Sequence, residues 1–237
     1  MENIQSKLTA VNWQVVTAQM NEKGYAILPG FLSNDQCGEL IRNYDNATLY
    51  RKTVVMERYR FGSGEYKYFN YPLPGIIQTI KENVYPQLAP IANGWMNALK
   101  TGKKFPVTFE ELQKLCHSNL QINPTALILK YGKGGHNTLH QDLYGEIFFP
   151  IQLVLFLNEP VEDYTGGEFV LTQQTPRAQS KAIVLQPKRG DMLLFTSNFR
   201  PVKGNKRYYR VNMKHGVSEV LDGNRHTLGI IFHDALT

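Results

Sequence analysis

From Pro124 onward the chain breaks into short apolar runs separated by turn residues, and this constrains its fold more than any other feature. The runs are TALILKY, IFFPIQLVLFLNE, GEFVLT, KAIVLQP, DMLLF, RYYRVNMKHG and HTLGIIFHD. Between them lie GKGG, TGGE, PKRGD and LDGN, whose glycines, prolines and aspartates favour tight turns. Strands this close together leave no room for crossover helices, so alternating βαβ units are excluded. An antiparallel sandwich or closed jelly roll is expected.

The first half has a different character. GYAIL reads as a short strand, followed by a Pro-Gly turn and Ser33 as N-cap of a helix through Tyr44. Residues 75–99 carry apolar side chains at helical spacing, interrupted by prolines, and predict two packed helices. Thr108 and Glu111 form a T-x-x-E capping box that opens another. No repeat, low-complexity tract or linker divides the chain. The expectation is one domain over 1–237, α+β but mainly β. In it, residues 1–123 form a helical support with an aromatic and basic lid near 50–74, and 124–237 form the barrel.

No apolar run reaches the roughly 20 residues of a membrane span, and MENIQSKLTAVNW lacks the apolar core of an export signal. A cytoplasmic protein with no membrane partner is therefore expected. The two cysteines, Cys37 and Cys116, make neither a disulfide framework nor a zinc cluster. A net charge of +6 tilts the choice of partner toward polyanions without deciding it.

The stretch NTLHQDLYGE holds His140 and Asp142, one residue apart. By itself the pair is either two loop residues or two ligands of a metal. Side-chain alternation along strands adds to it. In RVNMKHG, His215 shares a face with Val211 and Met213, where an imidazole needs a partner. In RHTLGIIFHD, Arg225, Thr227, Gly229 and Ile231 fall on one side, and His226, Leu228, Ile230 and Phe232 on the other. The first set is a cation followed by small residues, as binding of a carboxylate by a planar guanidinium requires. His136, His226, His117 and His233 lack such support and are read as non-ligands.

Two histidines and one carboxylate on a β-barrel suit the facial triad of non-haem Fe(II) oxygenases. The stretch LKYGKGGHNTLHQD resembles the tyrosine-bearing strand and H-x-D of the Fe(II)/2-oxoglutarate-dependent oxygenase superfamily. LVLFLNEPVEDYTGGEFVL, PKRGDMLLF and HGVSEVLDGNRHTLGIIF resemble its later segments in order and spacing, and GYAILPGFLS resembles its usual lead-in. The prolyl 4-hydroxylase-like and AlkB-like branches are the nearest in style. The resemblance implies a double-stranded β-helix of cupin type. It also implies Fe(II) on His140, Asp142 and His215, with positions open for 2-oxoglutarate and O2. Arg225 would take the distal carboxylate of 2-oxoglutarate, with help from Tyr131 and Thr227, although Tyr131 also reads as a barrel aromatic with its hydroxyl at the rim. Phe156 stands where the family often has a tyrosine, which puts more of the anchoring on Arg225 and Tyr131. The implied reaction hydroxylates a C–H bond with release of succinate and CO2.

The primary substrate is less legible. Residues 50–74 interleave Arg51, Lys52, Arg58, Arg60 and Lys67 with Tyr59, Phe61, Tyr66, Tyr68, Phe69 and Tyr71. Such a mixture suits bases and phosphates, and equally an aromatic segment packed on the barrel with its cations in solvent. FRPVKGNKRYYR, residues 199–210, is a second basic cluster. The leading expectation is single-stranded or damaged nucleic acid, alkylated and oxidatively demethylated. The alternatives are a prolyl-type hydroxylase acting on protein or peptide, and a cupin-like module that holds metal without turnover.

Overall fold

The computed structural model describes residues 4–237. Its first part holds α1 (Ile4–Ala10), α2 (Trp13–Lys23), β1 (Tyr25–Leu28), α3 (Asn34–Arg42), β2 (Tyr50–Val55), β3 (Gly62–Ser63), β4 (Glu65–Phe69), α4 (Gly75–Ala98) and α5 (Phe109–Ser118). Eleven strands follow: β5 (Leu127–Tyr131), β6 (His136–His140), β7 (Ile151–Phe156), β8 (Tyr164–Gly166), β9 (Phe169–Gln174), β10 (Ser180–Leu185), β11 (Met192–Thr196), β12 (Phe199–Lys203), β13 (Tyr208–Val217), β14 (Val220–Gly223) and β15 (Arg225–Ile230).

The strands form two main antiparallel sheets. The larger runs β1-β11-β7-β15-β5-β4-β2, and the smaller runs β10-β9-β13-β6-β3 with β12 also paired to β13. Period-2 alternation divides the larger sheet's residues between two cores. Met192 and Leu194 of β11 and Leu153 and Leu155 of β7 face the helices, while Leu193, Phe195 and Phe156 point between the sheets toward Leu171, Val211 and Met213. Every residue of β15 is buried because the strand is central and covered on both faces. This is the helix-backed β-barrel expected from the turn spacing, and the fold of the double-stranded β-helix.

Both predicted caps form. Ser33 and Gln36 make a reciprocal capping box on α3, and Thr108 and Glu111 make one on α5. The two helices expected over 75–99 are instead one continuous helix, α4, with Pro86 and Pro90 inside it. Each internal proline costs about 3 kcal/mol. However, α4 buries Ile77, Ile80, Val84, Tyr85, Leu88, Trp95 and Met96, and each large apolar side chain contributes about 1.5–3 kcal/mol. Packing therefore outweighs the two breaks.

The lid expected near 50–74 needs correction, and the helical support over 1–123 holds more strands than the GYAIL run expected. Tyr50–Val55 and Glu65–Phe69 are strands that extend the larger sheet through β4–β5 pairing. Tyr68 and Phe69 are buried. Lys67 lies 4.0 Å over the Tyr44 ring, and Arg51 donates to the Pro124 carbonyl and covers Tyr68. A segment with this many aromatics gains more by packing on the sheet than by standing free of it. Only the turn over 56–64 remains at the rim, carrying Arg58, Tyr59, Arg60 and Phe61.

Candidate metal centre

β6 and β13 lie side by side with His140 and His215 as cross-strand partners, so their rings meet at 4.2 Å between centroids. Asp142 follows in the loop after β6. One of its oxygens is 3.6 Å from His140 Nε2 and the other 3.2 Å from His215 Nε2. One ligand atom from each residue lies within 4.8 Å of the others, which one divalent ion can span. Among the described residues they are the one such group. The Thr138 carbonyl accepts from His140 Nδ1 at 2.7 Å, which fixes the tautomer and leaves the Nε2 lone pair facing Asp142.

The electrostatics suit a cation. Burial pushes the Asp142 carboxyl up, but the His215 hydrogen bond, the two imidazoles and the Tyr144 hydroxyl outweigh it and hold it well below the usual carboxylate range. Burial and the neighbouring His215 lower His140 below its ordinary value, which favours the neutral, metal-binding form.

Two supports escaped sequence reasoning. Gln141, between the two H-x-D residues, donates to the carbonyls of Asn198 and Met213 at 2.9 and 2.7 Å. Its amide bridges the gap where β12 gives way to β6 along one edge of β13. Tyr144 donates to Asp142 at 2.8 Å and is itself 3.2 Å from the Tyr68 hydroxyl. Both lie one residue from a predicted ligand or at i+2, a signal too common to single them out.

The other predicted residues line the same cavity. Arg225, Thr227 and Tyr131 share it with His140, Asp142 and His215, and Tyr131 is the cross-strand partner of Arg225. The Arg225 guanidinium is 1% exposed and lies 5.6, 5.4 and 5.9 Å from the ring centres of Tyr131, Phe156 and Tyr164. Phe156 thus contributes a ring face where a hydroxyl was missing, and Tyr164 is a third wall that the sequence did not indicate. Burial raises the Tyr131 hydroxyl to about 12, so it stays protonated and able to donate. It accepts from Asn137 Nδ2 at 3.3 Å.

Nε, Nη1 and Nη2 of Arg225 are all buried and without a partner, as is Nδ1 of His215. A desolvated guanidinium with no acceptor costs several kcal/mol, and a carboxylate in its fork removes that cost. The free donors and the nitrogen and oxygen ligand set therefore fit both an oxyacid co-substrate and Fe(II). Two glycines make room: a Cβ at Gly167, which sits at φ +63°, would lie 2.9 Å from Arg225 Cδ, and one at Gly64 would lie 2.9 Å from the Tyr131 ring.

The remaining histidines have other partners. His136 pairs with the Gly134 carbonyl, His226 with Asn158, His117 with Asp234, and His233 Nδ1 accepts from the Phe149 amide. Among the described residues, no helix is long and apolar enough to cross a membrane.

Known proteins resemble this chain in sequence and in fold. The family model Oxygenase-NA, an oxygenase catalysing oxidative methylation of damaged DNA, matches residues 64–235. The uncharacterized protein Rv2227 of Mycobacterium tuberculosis is 42% identical over 167 residues, 70% of this chain and 72% of that one. Among solved structures, a Pseudomonas putida prolyl-4-hydroxylase superposes with TM-score 0.55 at 15% identity, over 94% of this chain and 98% of its own. A Trichoplax adhaerens prolyl hydroxylase, solved with a peptide fragment of hypoxia inducible factor, gives 0.54 at 16% over 98% and 92%. A 2OG-Fe(II) oxygenase of Burkholderia pseudomallei gives 0.55 at 14% over 95% and 94%. The chain belongs to the Oxygenase-NA family and is a dioxygenase dependent on Fe(II), 2-oxoglutarate and O2.

Proposed function

We propose that His140, Asp142 and His215 hold the Fe(II), that Arg225 takes the distal carboxylate of 2-oxoglutarate with Tyr131 and Thr227 beside it, and that the enzyme demethylates alkylated nucleic acid. Bound Fe(II), with 2-oxoglutarate and O2, supplies the oxidising power, and succinate and CO2 leave. Arg225 orients the co-substrate, the rings of Tyr131, Phe156 and Tyr164 keep water from it, and Asp142 balances the charge of the metal. Hydroxylation of an N-methyl carbon gives an N–CH2OH group, whose C–N bond breaks to release formaldehyde and the N–H base.

One observation carries the choice of substrate. Phe61 lines the cavity and stacks on Tyr59 at 5.5 Å with 19° between planes. The two rings are 45% and 55% exposed, too open to be core residues, and Arg58 and Arg60 are exposed on the same turn. Paired ring faces beside cations suit an unstacked base and its phosphates. The damaged-DNA activity of the matched family supports the same reading.

The test is succinate formation by iron-loaded protein, with and without an N-methylated single-stranded oligonucleotide, with Asp142→Ala as the blank. Stimulation with formaldehyde release is expected. Turnover that responds to proline-containing peptides and ignores every oligonucleotide would move the substrate to protein.

A further inference from the structure

We infer that the outer face of the smaller sheet is a track for the phosphate backbone of a single strand, leading along β13 to the mouth of the cavity. The inference rests on the nucleic-acid reading above and extends it beyond the base that enters the site.

β13 alternates strictly. Val211, Met213 and His215 are buried, while Tyr208, Arg210, Asn212 and Lys214 are exposed. The exposed set is about 7 Å apart from one member to the next, and Lys214 immediately precedes the predicted ligand His215. Lys203, Lys206 and Arg207 stand exposed at the tip of the β12–β13 hairpin. Arg177 is exposed in the turn after β9, whose Gln174 pairs with Asn212. Lys203 pairs with Tyr208 and so shares the face of the exposed row, and the hairpin tip and the Arg177 turn lie at the end of the sheet where that row begins.

Nothing on that face neutralises them. The one acidic residue between Phe169 and Val217 is Asp191, which is buried and accepts from the amides of Gly30 and Lys188. Among the described residues no carboxylate lies within ion-pair distance of the six cations. Arg210 is held in place by stacking 4.0 Å over Phe199 and by bonding Asn212. An ordinary solvated face mixes both signs, whereas a one-sign row with an exposed Tyr208 among its cations suits a polyanion that also carries rings. At the other end of the same sheet, β6 and β3 lead to the Tyr59–Phe61 pair. The row and the stacked rings thus lie along one path.

The test compares the iron-loaded wild type with a triple variant, Lys206→Ala, Arg207→Ala and Lys214→Ala combined, in binding a 15-nucleotide and a 3-nucleotide single strand over a range of salt. Single-strand binding loses about 0.7 in the slope of log affinity against log salt per phosphate contact. The triple variant should therefore show a slope shallower by about 2 for the long strand, with affinity at least tenfold weaker at low salt, and little change for the trimer. Circular dichroism checks that the variant is folded. An unchanged slope and affinity for the long strand would overturn the track while leaving the demethylase reading intact. Failure of the wild type to bind any strand or to be stimulated by one would overturn both. Selective binding of an acidic peptide in place of the long strand would assign the face to a protein partner and overturn the inference.

Discussion

The Tyr144 hydroxyl donates to Oδ1 of Asp142 at 2.8 Å, while Oδ2 of the same carboxylate stands 3.2 Å from His215 Nε2. The carboxylate is thus held on both sides before any ion arrives. Loss of such a support to a ligand typically costs 10–100-fold in metal affinity or activity. Tyr144→Phe is expected to weaken Fe(II) or Mn(II) binding by roughly tenfold with little loss of stability, as read by metal titration and thermal melting. Unchanged metal affinity would reduce Tyr144 to a packing residue.

Arg225 yields a prediction with opposite signs in two measurements. Arg225→Met removes a buried cation that has no partner, so the ligand-free protein should be as stable as the wild type or more so. The same change should abolish the rise in Tm that saturating 2-oxoglutarate gives the wild type. Arg225→Lys should weaken 2-oxoglutarate by at least tenfold, because an ammonium lacks the planar fork. A variant that melts early yet still responds to 2-oxoglutarate would contradict the assignment.

A buried polar cluster lies behind the barrel. Asp234 accepts from Tyr71 at 2.8 Å, pairs with His117 at 3.0 Å and stands 4.0 Å from Lys81, whose ammonium is fully buried with no hydrogen-bond partner. Burial lowers the Lys81 pKa, against the opposing charge of Asp234. Asp234→Ala strands that ammonium and is expected to cost about 3 kcal/mol, whereas Lys81→Met should cost about 1 kcal/mol or less. Urea unfolding of the two variants decides, and the reverse order would show that Lys81 stabilises the fold.

Stability should fall in mild acid. Burial holds His233 and His226 down to about 4, against an ordinary value of 6.5. Between those values the unfolded chain binds protons that the folded chain refuses, so each histidine removes about 1.4 kcal/mol per pH unit as pH drops from about 6.5 to about 4. Above 6.5 the contribution is complete and level. Urea midpoints at pH 7.5, 6.5, 5.5 and 4.5 should show a plateau and then a decline that His226→Asn makes shallower. A flat profile down to pH 4.5 would contradict the burial argument.

Much of the barrel was legible because its signals are local. Turn residues at fixed offsets marked seven of the strands, and period-2 alternation placed His215 and Arg225 on the cavity side of β13 and β15. That alternation survives because each strand buries a different set on each face. The N-cap at Ser33 and the capping box at Thr108 were legible for the same reason, since each is made within four residues.

What depended on the tertiary structure involved residues far apart in sequence. The breaks expected at Pro86 and Pro90 vanished because the apolar burial of α4 exceeds their local cost. The segment 50–69 became sheet edge because β5 offered it an unpaired ladder, which no local pattern records. Tyr164 and Phe156 came within reach of Arg225 only when β7, β8 and β15 assembled. By itself, then, the sequence determined strand periodicity, caps and the kinds of group in the site. Tertiary packing decided which of those groups meet, because burial and cross-strand register are summed over the whole chain.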